Sequence, residues 1–168
     1  FAPPATHLTA LIQATQKRLH TSAANKIGGA LIQAYQWPLI ATAVAAFLVD
    51  RRVPALDPQQ VRLHLPLVEQ GETEDVGPPP RGAYHSGRFA ALPDDPAAEH
   101  PDALIVPNRD ALRDYLRNEL EAHFGWVIER LSAAVGCNQR SLWLYVTDRV
   151  AGTLSWLMQE QDKQSCLA

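Results

Sequence analysis

The stretch "LSAAVGCNQRSLWLYVTDRV", residues 131–150, decides how this chain is read. An apolar helical run stops at Gly136, a short turn through Cys137 and Asn138 follows, and a second apolar run begins. That outline is shared with the DNA-binding helix-turn-helix, and Ala133, Gly136, Leu142 and Tyr145 roughly occupy its expected positions. The second helix of such a motif must bring polar or basic groups to base edges. Here the exposed positions hold Gln139, Arg140, Asp148 and Arg149, and the amphipathic pattern runs well beyond the motif on both sides. Before the glycine, Leu112, Leu116, Leu120, Phe124, Val127, Leu131 and Val135 recur at helical steps. After it, Leu142, Val146, Val150, Leu154 and Leu157 do the same, widened by Trp143, Tyr145 and Trp156. The pattern predicts two long core helices forming a hairpin, with Gly136 as the stop and Asn138 as the next cap. Asn108 is a fitting cap for the first of them, with Asp110 in its first turn, and Gly125 is a place where that helix kinks or divides.

Working outward, the 168 residues favour one domain, 46% hydrophobic and 20% charged, with a net charge of −3. A duplex-DNA binder draws its affinity from a basic face, and the overall balance offers none. The first third is expected to be helical: Leu8, Leu11, Ile12, Thr15 and Leu19, then Ile27, Leu31 and Tyr35, repeat at helical spacing. Gly28 and Gly29 either permit a close helix–helix approach or mark a break, and Pro38 suits the first turn of a further helix. "WPLIATAVAAFLV", residues 37–49, is uninterrupted for 13 residues, short of the roughly 18 needed for a membrane span, and reads as a buried core helix. No signal peptide is visible, since the first apolar run is amphipathic and carries Gln13, Gln16, Lys17 and Arg18.

The middle third changes character. Val61, Leu63, Leu65 and Leu67 alternate with Arg62, His64 and Pro66, a strand pattern in which the proline favours an edge. "RFAALP" is a returning strand, and "ALIVPN" a strand or buried linker. The expected architecture is therefore α+β: a mostly helical single domain over residues 1–168, helical at 1–52 and 108–162, with a small antiparallel sheet or hairpin from the strand and loop region 53–107.

Familiar catalytic patterns are missing. The six histidines are scattered with no helical pair, and His123 beside Glu119 and Glu121 reads as an ordinary surface histidine. Ser86 after His85 lacks the strained nucleophile turn, and "IGGALIQ" lacks the glycine spacing that cradles phosphate. Arg109, Asp110, Arg113, Asp114, Arg117 and Glu119 alternate in sign as a solvated helix face does. Two cysteines, Cys137 and Cys166, make no disulfide framework and fit free thiols in a reducing cytoplasm. No residue is assigned as catalytic or as a metal ligand.

Two separated stretches carry a resemblance. "IGGALIQAYQWPLIATAVAAFLVDRRVPALDPQQVRLHL" and "GCNQRSLWLYVTDRVAGTLSWL" together resemble the FhuF-like ferric-siderophore reductase family, and the C-terminal region of aerobactin-type siderophore synthetases. The matching positions are Tyr35, Val53, Pro54, Leu56, Val61, Leu63, Leu65, Gly136, Arg140, Leu142, Trp143, Asp148, Arg149, Ala151 and Gly152. The resemblance implies a cytoplasmic bacterial protein that handles siderophore iron, binds a ferric siderophore of the hydroxamate type, and reduces iron(III) with an electron-donor protein. It also implies a [2Fe–2S] cluster, which needs four thiolates, or two with two histidines. The chain departs from the family here. A cluster would require cysteines beyond residue 168, with Cys166 as its first ligand. Otherwise the chain is a cluster-free ligand-binding or accessory protein of a siderophore or natural-product pathway, or shares the fold alone. A ferric hydroxamate is bulky and polar outside, so aromatic and arginine side chains suit it: Tyr35, Trp126, Arg140, Trp143 and Arg149 are the candidate ligand-binding residues. A helix-turn-helix regulator remains the alternative from a different class. No nucleic acid and no membrane span are expected.

Overall fold

A computed structural model describes residues 5–64, 81–84 and 87–167. The chain runs α1 (Ala5–Leu19), α2 (Ala24–Ala45), a π-helical turn (Ala46–Asp50), β1 (Arg52–Pro54), β2 (Val61–His64), β3 (Arg81–Tyr84), β4 (Phe89–Ala91), β5 (Ala103–Ile105), α3 (Arg109–Val135) and α4 (Gln139–Leu167). The α+β, mostly helical architecture is as expected.

Helix α2 is the centre of the domain. Ile27, Leu31, Ile32, Leu39, Ile40, Ala43 and Val44 are buried on it, and it packs against α1, α3 and, most extensively, α4. Each large aliphatic side chain so buried contributes roughly 1.5–3 kcal/mol. The two glycines are sites of close approach, not a break. A Cβ at Gly28 would lie 2.6 Å from Cys137 Sγ, and one at Gly29 would lie 2.9 Å from the Tyr145 ring. Pro38 does not open a new helix. It sits inside α2, which continues through it. The apolar helical stretch Ala24–Asp50 spans 27 residues with a mean hydropathy of 1.4 in its most apolar window, enough by length and composition to cross a membrane, although 39% of that window is buried within the domain. The π-turn ends at Arg51, whose φ of 54° is left-handed.

Three strands form a mixed sheet in the order β1-β4-β5. β1 pairs antiparallel with β4, from Arg52 opposite Ala91 to Pro54 opposite Phe89. β4 pairs parallel with β5, so the sheet is not purely antiparallel. The reason is the connection: a run of turns over residues 93–102 brings the chain back to the start of β4 before β5 begins, so the two strands point the same way. Val53 and its partner Ala90 face the core, and Ala91 is buried on the opposite face of the sheet. β2 and β3 form a separate antiparallel ribbon, Val61 opposite Tyr84 and His64 opposite Arg81. Leu65, Pro66 and Leu67, expected to extend β2, and the pair His85 and Ser86 lie outside the described residues.

Helix α3 is continuous through Gly125. Asn108 caps it, its Oδ1 accepting from the Ala111 N–H at 2.9 Å. The turn to α4 is built into the core. Gly136 adopts the left-handed conformation (φ 76°) and donates to Ser132 O, and Cys137 is buried against Gly28. The Asn138 N–H donates to Asn25 Oδ1 at 3.0 Å, and Asn138 Oδ1 accepts from the Arg140 N–H at 2.8 Å. The stretch that resembles a helix-turn-helix is thus a helical hairpin pinned to the start of α2.

Candidate functional site

Two polar constellations stand out in this helical core. The first surrounds His123 in α3. It is fully buried, so its reading as a surface histidine is corrected: position 123 follows Leu116 and Leu120 on the inward face of the helix. Nδ1 faces the carbonyl of Leu56, which accepts only, so Nδ1 carries the proton. Nε2 then accepts from the Tyr35 hydroxyl at 2.8 Å. Tyr35 and His123 rings stack, with Phe124 edge-on to both. Burial pushes the imidazole below its ordinary pKa, against the opposing pull of the Leu56 carbonyl and of Glu119 and Asp57. Glu119 also departs from the solvated pattern: its Oε2 accepts from the Leu56 N–H at 2.6 Å. Burial, reinforced by Glu119, pushes the Tyr115 hydroxyl up to about 12. Together Glu119 and His123 hold both backbone groups of Leu56, and so clamp the segment after β1 onto α3. Several other charges of that helix pair in solvent, as Asp110–Arg113, Asp114–Arg117 and Arg117–Glu121.

The second constellation is a cleft between α2 and α4. Its volume is about 360 Å³, and Gln33, Gln36, Tyr145, Asp148 and Arg149 line it. Helical spacing accounts for the set: residues 33 and 36 share one side of α2, and residues 145, 148 and 149 one side of α4. Gln33 Nε2 donates to Gly29 O at 3.1 Å, and the bare backbone of Gly29 admits the Tyr145 ring. The Arg149 guanidinium lies over the Trp37 ring, 5.0 Å from its centroid. Gln36 is 1% exposed, yet its Oε1 has no hydrogen-bond partner. Neither has Arg149 Nε, nor Thr153 Oγ1 one turn further along α4. A buried polar atom without a partner costs roughly 1–3 kcal/mol, so three along one helix seam call for an explanation.

The five candidate ligand-binding residues are spread over several surfaces. Arg149 lines the cleft. Tyr35 lies against His123 and Phe124, Trp143 lies beside Gly125, and the Trp126 ring is covered by Arg130, with the guanidinium carbon 3.8 Å from its centroid. Arg140 is exposed at the start of α4. Gln33, Gln36, Tyr145 and Asp148 were not among the candidates. A usable signal was present, namely two glutamines three residues apart within an otherwise apolar helix.

The residues present do not fit a [2Fe–2S] cluster. Cys137 and Cys166 fall near opposite ends of α4, a 29-residue helix, and so stand about 40 Å apart at 1.5 Å per residue. Burial also pushes the Cys137 thiol up, away from the thiolate that a cluster needs. Among the described residues, no group of three or more His, Cys, Asp or Glu is placed to hold a metal ion. Comparison with protein-family models, with curated proteins and with solved structures finds no match to the chain.

Proposed function

We propose that this chain is a siderophore-iron handling protein that binds a ferric hydroxamate siderophore in the cleft between α2 and α4. The observation that carries the reading is the cleft itself. α2 and α4 come from the two stretches that resemble the ferric-siderophore reductases, and where they meet they leave an open cleft lined by Gln33, Gln36, Tyr145, Asp148 and Arg149. A cavity that combines an arginine on an aromatic ring, an exposed tyrosine and amide side chains suits an oxygen-rich, weakly charged ligand. We read Ala24–Asp50 as the core helix of a cytoplasmic domain, because its buried side chains meet α1, α3 and α4. The regulator alternative is less well supported, since Leu144 and Asp148 interrupt the exposed face between Arg140 and Arg149.

Trp37 at the edge of the cleft provides the test. Titration with ferrioxamine B, and with its gallium analogue to control for absorption by the iron complex, gives a saturable change in tryptophan fluorescence. Arg149→Met weakens it by tenfold or more. A series of ferric hydroxamates that produces no saturable change overturns the proposal.

A further inference from the structure

We infer that the outward face of α4 is a self-association surface, on which a second copy of this chain docks antiparallel about Ala151. Helical spacing defines the face. Steps of four, seven and eleven residues to either side of Ala151 return to one side of the helix, and they reach Thr147 and Ser155, then Leu144 and Met158, then Arg140 and Asp162. Residues 140, 144, 147, 151, 155 and 158 are all exposed, whereas Leu142, Val146 and Thr153 on the inward side are buried. Leu144 and Met158 are large apolar side chains that the domain leaves 59% and 57% exposed.

The residue types along this face run in the same order from both ends: charge, large apolar, hydroxyl, alanine, hydroxyl, large apolar, charge. Only the sign of the charge differs between the ends, and a two-fold axis at Ala151 turns that difference into attraction. Leu144 meets the partner's Met158, Thr147 meets the partner's Ser155, and Arg140 meets the partner's Asp162, each pair occurring twice. The small residues at the centre let the helix axes approach to the near end of the usual range of about 8–10 Å. Where the crossing helices diverge, the larger Leu144 and Met158 fill the gap. A parallel pair would set arginine on arginine and aspartate on aspartate, so charge selects the antiparallel arrangement. Arg140 also does little for α4 itself. It lies in the first turn, where the positive end of the helix dipole favours an acidic residue and none is present. The face from 140 to 162 is about 33 Å long, and one helix pair of that length falls at the low end of specific interfaces, below roughly 1,200 Å² in total. The dimer therefore forms at micromolar rather than nanomolar concentration. It needs no ligand and stands apart from the siderophore reading.

Sedimentation velocity of the full chain, over about 1 to 300 µM protein, tests the inference. The expected result is a reversible shift from the mass of one chain toward that of two. Leu144→Glu sets a carboxylate against the partner's Met158 and moves the midpoint at least tenfold higher in concentration. Arg140→Asp or Asp162→Arg alone opposes like charges twice per dimer and weakens it about tenfold, and the two together exchange the charges and recover most of that loss. Far-UV circular dichroism checks that each variant keeps its helices, and the wild-type series decides the matter of self-association without any variant. A chain that stays monomeric over the whole range overturns the inference. So does a dimer that is indifferent to Leu144→Glu, or one whose single charge reversals are not repaired by their combination.

Discussion

Gly28→Ala places a methyl group where Cys137 already sits. The new Cβ would lie 2.6 Å from Cys137 Sγ, 3.3 Å from Cys137 Cβ and 3.4 Å from Leu142 Cδ2. In a helix interior the substitution by itself gains about 1 kcal/mol of propensity. Overpacking of a filled core costs roughly 1–3 kcal/mol. Cys137 has one side-chain torsion and is buried in a turn held by Ser132 and Asn25, so it yields little. The clash should therefore outweigh it, with a net loss of up to about 2 kcal/mol once the propensity gain is set against it. Removing the sulfur in Cys137→Ala leaves the 3.3 Å contact as the tightest, and in that background Gly28→Ala should be neutral or stabilising. Urea denaturation followed by circular dichroism measures all four members of the cycle, as shifts in midpoint at constant slope. Additivity within about 0.5 kcal/mol would refute the reasoning, because it would mean that Cys137 is not what requires a glycine at position 28.

Four further outcomes follow from the same geometry. Burial lowers the pKa of His123 in the folded state, so below its ordinary value of about 6.5 the unfolded chain binds the extra proton first. Stability should fall as pH drops from there toward the folded pKa, and His123→Asn should remove that limb from a pH series of urea midpoints. Asp95 is held below the usual carboxylate range by its bond to Arg52, so its contribution persists to lower pH and is lost as pH falls through the folded pKa, a second acid limb absent from Asp95→Asn. Glu119→Ala leaves the Leu56 N–H without its acceptor and should cost about 1–3 kcal/mol by denaturation, whereas Glu119→Gln keeps an acceptor and should cost less. Gly29→Ala meets the ring of Tyr145, which is 37% exposed and free to swing outward, so thermal stability should change little while siderophore binding, read by fluorescence, weakens.

Much of the architecture was legible along the chain. Helical periodicity located α3 and α4, because their inward positions repeat over many turns and Asn108, Gly136 and Asn138 mark their ends with specific backbone requirements. Pro38 misled because a proline suits a helix start, yet the packing of α2 on three helices outweighs the one backbone bond it removes. The polarity of β5 was not legible, since three residues carry no sign of whether the neighbouring strand runs with them or against them. The candidate site was legible only in Arg149. A cleft is a relation between elements, and Gln36 becomes unusual only when α4 closes over it and removes the water that would have satisfied its amide.

By itself, then, the sequence determined which parts of the chain are helical and, for α3 and α4, where the turn between them falls, since these follow from local propensity and spacing. The tertiary structure decided the rest. It made His123 a buried link between Tyr35 and Leu56, turned two glycines into contact points for Cys137 and Tyr145, and left Gln36 and Arg149 facing one cavity. Those are properties of residues far apart in the chain, and burial, unpaired donors and shifted protonation exist only once packing has excluded the solvent between them.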